Sequence, residues 1–399
     1  MKTYFEKDVP LSVAMWDYSW LMCGHRGGAF HDLSRCVEEA ADRGYNTLRV
    51  DVFPHYYFEP EHTFAAAGGD RRIRTWGDVL VADGYTVNVR ERVIELAELC
   101  RRHGVWLGLD TWQSFQVLGH DRRVPPAEEE SVCRGWADTW VQALRAMRQD
   151  GVLERAVWVA PLNEVPIFLG NMIQRVRDSV PAQVEVGDGQ IKHLLPEHDA
   201  IYMELNRWLG EAVRDEIAGD GVPLLYSGVW VEDYIGRVPA FYDGVDAHFM
   251  PDAKLSPEDA EALEKAGEGA SRFALHGKQD PWDFALFSAA WARAVRRNYR
   301  AMLENARAFC EKTFDTVRLE DGSLKFEVVC TEAYGPCSHP DHPEVDWAWY
   351  RHYNADAARV FADYPFSGLT LSNHAEPLFS LWQDRDWHAR GNAYLLGSA

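Results

Sequence analysis

The chain is short of basic charge. Its 41 lysines and arginines face 62 aspartates and glutamates, a formal net charge of −21 over 399 residues. Nucleic acid and anionic membranes both require a basic surface, so neither is expected as a partner. No apolar run is long enough for a transmembrane helix. The opening Met1-Lys-Thr-Tyr-Phe-Glu-Lys-Asp has no apolar core of a secretory signal. The seven cysteines, at 23, 36, 100, 133, 310, 330 and 337, include no Cys-x-x-Cys. That pattern predicts reduced, mostly buried thiols and a cytoplasmic location. The glycine-containing loop His25-Arg-Gly-Gly-Ala is neither Gly-x-Gly-x-x-Gly nor Gly-Lys-Ser, which argues against a nucleotide. The spacing of His339, His342 and His352, and of Cys330, Cys337 and His339, fits no strong zinc pattern. Neither a metal nor a cofactor is expected.

What the chain has in abundance is apolar and aromatic surface. Hydrophobic residues make up 47%, enough for a large core and too many for disorder. Sixteen tryptophans supply flat apolar faces on which sugar rings stack, so the count favours a carbohydrate ligand, although most tryptophans serve cores.

Apolar stretches and helical periodicities alternate along the whole chain. Strands are predicted at 11–16, 46–54, 105–110, 157–164, 222–230, 244–250, 326–332 and 366–372. Helices are predicted at 33–43, 89–103, 132–149, 197–218, 284–312 and 345–363, with a last helix or irregular cover over 378–399. Eight such units without linker composition imply a parallel sheet closed into a single (β/α)₈ TIM barrel, here with long loops on one face.

In a barrel of this kind the reactive groups stand at the C-terminal ends of the strands. Polar and aromatic residues fall there: Trp16 and Asp17, Arg49 and Asp51, Asp110 and Trp112, Asn163 and Glu164, Trp230, His248, Glu332 with Tyr334 beyond it, and Asn373 and His374. Burying each without a partner would cost roughly 1–3 kcal/mol, so they satisfy one another, face a ligand, or both. Glu164 ends the fourth predicted strand and Glu332 the seventh. Two carboxylates across a pocket are the machinery of glycoside hydrolysis, one giving a proton and the other attacking or steering water. Arg49 is the expected charge partner of Glu332, and Asn163 the expected donor to a sugar hydroxyl.

Gly44-Tyr-Asn-Thr-Leu-Arg49, Leu162-Asn-Glu164, Asp246-Ala-His248 and Thr331-Glu332 together resemble the strand-two, -four, -six and -seven motifs of clan A retaining glycoside hydrolases. The similarity is greatest to cellulase family five and the sugar-binding cellulase-like proteins. The resemblance implies a retaining β-glycosidase, with Glu164 as acid/base and Glu332 as nucleophile in a double displacement. A carbohydrate-binding protein on the same scaffold and a transglycosylase are the alternatives. The chain departs from the pattern at Met250, where tyrosine is usual, at Trp112, where histidine is frequent, and at Ser372-Asn-His-Ala, where tryptophan is usual. Trp382 is a candidate replacement for the last. Long loops on the catalytic face suggest a pocket for a short oligosaccharide or glycoconjugate. Sugar identity, linkage and oligomeric state are left open by the sequence.

Overall fold

The computed structural model describes residues 10–64, 85–112, 123–164, 173–179, 185–186, 190–191, 196–229, 231–250, 256–266, 283–335 and 341–397. Eight parallel strands form one sheet: β1 (Leu11–Asp17), β2 (Thr47–Asp51), β3 (Trp106–Asp110), β4 (Ala156–Val159), β5 (Leu225–Val229), β6 (Gly244–His248), β7 (Glu327–Cys330) and β8 (Gly368–Thr370). Their order is β4-β3-β2-β1-β8-β7-β6-β5. A parallel bridge between Val159 and Leu224, with Val159 N–H donating to Pro223 O at 2.9 Å, joins the two ends. The result is a (β/α)₈ barrel, as the alternation predicts.

Among the described residues eight longer helices accompany the strands: α1 (Leu33–Asp42), α2 (Val89–His103), α3 (Glu129–Gln149), α4 (Asp199–Ile217), α5 (Pro257–Ala266), α6 (Phe284–Val317), α7 (Ala348–Ala362) and α8 (Arg385–Leu395). Short polar side chains start several of them by accepting an otherwise unsatisfied N–H. Asp32 caps α1 at Arg35, Asn88 caps α2 at Glu91, and Asp283 caps α6 at Leu286. Helix α6 runs past the predicted residue 312 because Thr313, Phe314 and Val317 continue its buried face. The segment read as a loop before α2 also contains a small hairpin, His62–Phe64 paired with Tyr85–Val87.

Strand alternation sorts the side chains into two cores. One fills the barrel: Leu11, Val13, Trp158, Leu225 and Val329 pack together there. The other lies between barrel and helices and takes the opposite face of the strands, including Ala14, Trp16 and Leu48. Gly108 on β3 is a packing requirement of the inner core. A Cβ at that position would stand 2.1 Å from the Trp158 ring. The six described cysteines are buried, as expected, while Cys337 lies outside the described residues. Among the described residues no helix is long and apolar enough to cross a membrane.

Candidate active site

Above the apolar layer the barrel interior turns polar, and Arg49 on β2 is its centre. The guanidinium is completely buried. Its Nε donates to Asp110 Oδ2 at 2.6 Å and lies 3.5 Å from Asp17 Oδ1. Nη1 donates to Glu332 Oε1 at 2.7 Å and to Thr331 Oγ1 at 3.1 Å, and Nη2 donates to Asn163 Oδ1 at 2.6 Å. The expected pairing of Arg49 with Glu332 is therefore present. Burial works against its charge, but Asp110, Asp17 and Glu332 outweigh that and hold it cationic.

His248, at the end of β6, stands between the two glutamates. Its Nδ1 is 3.0 Å from Glu164 Oε1 and 3.5 Å from Glu332 Oε1. Its Nε2 faces Asp246 Oδ2 at 3.4 Å and Ser227 Oγ at 3.3 Å. Burial disfavours the imidazolium, yet the charges of Glu332 and Asp246 prevail and raise the pKa well above its ordinary value. One carboxylate oxygen each from Glu164 and Glu332 and one His248 nitrogen lie within 4.8 Å of one another, all three residues buried. By their donor types these three could also hold a metal ion.

Glu164 is the strained member of the site. Its φ is +48°, in the left-handed region, and its N–H donates to Ser227 Oγ at 3.3 Å. Asp17 (φ +38°), Phe53 (+47°) and Tyr334 (+79°) share that conformation. All four lie at or just beyond the C-terminal ends of barrel strands, and each costs roughly 1–3 kcal/mol that surrounding contacts must offset. Burial raises the Glu164 pKa and the neighbouring Glu332 charge adds to it, while the His248 hydrogen bond works in the other direction.

The remaining predicted site residues divide into two groups. Asn163, Asp110, Asp17 and Trp112 join the cluster. Asn163 is bound at both ends of its amide: Oδ1 accepts from Arg49 and from Ser227 Oγ at 2.5 Å, and Nδ2 donates to Glu332 Oε1 at 3.2 Å. It thereby holds Glu332 in place. Trp112 donates from Nε1 to Asp17 Oδ2 at 3.1 Å. Burial raises the pKa of Asp17, and it raises that of Asp110 to about 6.

Asp51, Trp16, Tyr334 and Trp382 do not reach this cluster. Asp51 spends both oxygens on backbone N–H groups, Phe53 at 2.7 Å and Trp112 at 2.8 Å, and so braces the ends of β2 and β3. Trp16 occupies the outward phase of β1 and meets Phe30 edge-on at 5.0 Å. Tyr334 also turns outward, its ring edge-on to Phe361 of α7 at 4.9 Å. Trp382 is no sugar platform. It stacks on Tyr45 at 5.9 Å, lies under Arg43 at 4.5 Å and donates to Glu39, all in the layer between barrel and helices. Trp230 lies outside the described residues, as do most of the long loops.

Four further residues were given no site role by the sequence reading, although Asp246 and Thr331 stand in its motifs. Ser227, Asp246 and Thr331 lie in the polar layer, with Thr331 Oγ1 donating to Asp246 Oδ2 at 2.5 Å. Asp246 shares a strand face with His248 two residues on, a signal the alternation contains. Glu376 is the fourth. It lies beyond β8 in a turn without strand pattern, and burial raises its pKa well above the ordinary carboxylate range.

A family model described as cellulase-like, sugar-binding cellulase-like, matches residues 13–396. The chain belongs to the sugar-binding cellulase-like family. Solved structures share the fold of this cellulase-like chain. A provisionally assigned glycoside hydrolase from Parabacteroides distasonis has a TM-score of 0.70 at 21% identity, covering 98% of this chain and 94% of that one. ZgEngAGH5_4 in complex with a cellotriose gives 0.53 at 11%, covering 98% and 96%. A trimodular GH5_4 subfamily endoglucanase gives 0.55 at 11%, covering 99% of this chain and 62% of that one. No curated protein matches the cellulase-like chain.

Proposed function

We propose that this cellulase-like protein is a retaining β-glycosidase acting by double displacement on a short oligosaccharide or glycoconjugate. The observation that carries the reading is the approach of Glu164 and Glu332 within 4.8 Å, oxygen to oxygen, in a buried site. Retention requires carboxyls about 5–5.5 Å apart, because the second must reach the anomeric carbon itself and leaves no room for water. Inversion requires a wider gap.

The electrostatics supply the two roles. Glu164, whose pKa is raised by burial and by Glu332, keeps its proton and delivers it to the leaving oxygen. Glu332 is gripped through Oε1 by Arg49 and Asn163, while Oε2 has no hydrogen-bond partner among the described residues. That free oxygen attacks the anomeric carbon as the glycosidic C–O bond breaks, forming a glycosyl ester. Glu164, now ionised, takes a proton from water, and the water oxygen displaces Glu332. The cellotriose complex of a structural relative supports a carbohydrate substrate. A sugar-binding protein without activity would not need a paired acid and nucleophile.

A panel of aryl β-glycosides, assayed with wild type and Glu332→Gln, tests this. The variant should lose essentially all turnover on any sugar the wild type cleaves. Full rate in the variant, or no cleavage of any sugar by the wild type, overturns the assignment.

A further inference from the structure

We infer that Asp246 is a positioning residue for both glutamates: through His248 it fixes the ring nitrogen that faces Glu164, and through Thr331 it seats the peptide that carries Glu332. The roles of acid and nucleophile for those two glutamates rest on the glycosidase reading.

Asp246 is 1% exposed and stands two residues before His248 on the same face of β6. Both of its oxygens are used. Oδ1 accepts from Thr331 N–H at 3.0 Å, and Oδ2 accepts from Thr331 Oγ1 at 2.5 Å and faces His248 Nε2 at 3.4 Å. Thr331 Oγ1, having donated there, accepts from Arg49 Nη1 at 3.1 Å. On the far side of the nucleophile, Glu332 O accepts from Phe249 N–H at 3.0 Å, one residue beyond His248. The Glu332 backbone is thus tied to β6 before and after its side chain. Burial works against the Asp246 charge, but His248 and Arg49 outweigh it and hold its pKa below the ordinary carboxylate value.

Donor and acceptor counting then fixes the His248 ring. Arg49 can only donate, so the Asn163 amide turns its oxygen toward it. Ser227 Oγ gives its one hydrogen to that same oxygen at 2.5 Å and accepts from Glu164 N–H at 3.3 Å. Toward His248 Nε2, 3.3 Å away, it has only a lone pair to offer. The ionised Asp246 likewise only accepts. Nε2 therefore carries hydrogen whether the ring is charged or neutral, and Nδ1 is the nitrogen that titrates. It does so opposite Glu164 Oε1 at 3.0 Å and Glu332 Oε1 at 3.5 Å, the latter oxygen also held by the Arg49 cation at 2.7 Å. Of the three carboxyls around the ring, Asp246 alone lies on the Nε2 side. A plain clamp between β6 and β7 would need only an acceptor for Thr331. The charge, and its approach to Nε2, are what the positioning role requires.

Heteronuclear NMR of the histidine rings in the full-length chain, with the His248 signal identified by its loss in His248→Gln, is the test. In wild type Nε2 should carry hydrogen at every pH. Asp246→Asn keeps the shape and an acceptor for Thr331 N–H but removes the charge, so the His248 titration should fall by about one to three pH units. On a glycoside that wild type cleaves, the same variant should lose about 10- to 100-fold in kcat with KM within about twofold, because proton placement is lost and no sugar contact is. A neutral ring with its hydrogen on Nδ1, an unmoved His248 titration or an undiminished kcat overturns the inference. The first of these is read on wild type, so the inference stays open to refutation should Asp246→Asn not fold. A wild type that cleaves no glycoside would remove the hydrolase reading, while a lowered His248 titration in Asp246→Asn would still support the hold of Asp246 on the ring.

Discussion

Arg49 has no exposed surface, and its three nitrogens are divided among Asp110, Glu332, Thr331 and Asn163. Removing one partner of a buried charge cluster leaves the others uncompensated. Arg49→Met should therefore destabilise the fold by about 3–5 kcal/mol in urea unfolding; a loss well under 1 kcal/mol would contradict this charge balance. His248 makes a kinetic prediction of definite sign. Its hydrogen bond and charge hold the Glu164 pKa down against burial. In His248→Gln that restraint is gone, so Glu164 keeps its proton to higher pH. The alkaline limb of kcat/KM against pH should move upward; a limb that stays or moves down removes His248 from this role.

The elements are built by local rules that a substitution can probe one at a time. Helix α2 begins where Asn88 Oδ1 accepts from Glu91 N–H at 3.1 Å and ends at Gly104, whose φ is +70°. Asn88→Ala should cost about 1 kcal/mol by thermal or urea unfolding, with activity unchanged. Gly108→Ala is a different kind of defect. It sets a methyl group 2.1 Å from Trp158 inside the barrel. Overpacking of this sort typically costs about 1–3 kcal/mol, and it strikes β3 just below Asp110. Both stability and turnover should fall, and a variant with wild-type turnover would mean that the barrel interior yields more easily than its packing suggests.

At the scale of the whole molecule, the acids of the barrel mouth set the pH dependence of stability. Burial raises Asp51 to about 7 and Asp110 to about 6, and it raises Asp17 and Glu376 as well. The ordinary carboxylate value is about 4, so between about 4 and 7 the folded chain binds more protons than the unfolded one. These groups are stabilising at the lower pH, and that contribution is lost as pH rises through the folded values. His388, buried and lowered to about 3, opposes them as pH falls below the ordinary histidine range. His198, also lowered by burial, joins it, two groups against several. The net charge of −21 adds self-repulsion at high pH. Tm should therefore rise as pH falls from 8 to about 6, and calorimetry showing the reverse would overturn the balance.

The alternation of apolar strands with amphipathic helices was enough to determine the barrel, because periods of two and 3.6 are written residue by residue. It also determined that Glu164 and Glu332 end strands on the same face, with Arg49 and His248 among them. Which of the strand-end residues meet was decided by tertiary structure. Trp16 and Asp17 are neighbours in sequence, yet the pleat sends Asp17 to Arg49 and Trp16 to Phe30. Trp382 and Tyr334 looked available and are packed behind the barrel wall. Glu376 falls outside every predicted strand and helix, and the fold buries it within reach of the Asp17 charge. A sequence pattern specifies the face and phase of a side chain within its own element. Whether that side chain finds a partner depends on which other element the fold brings opposite, and no local period encodes that.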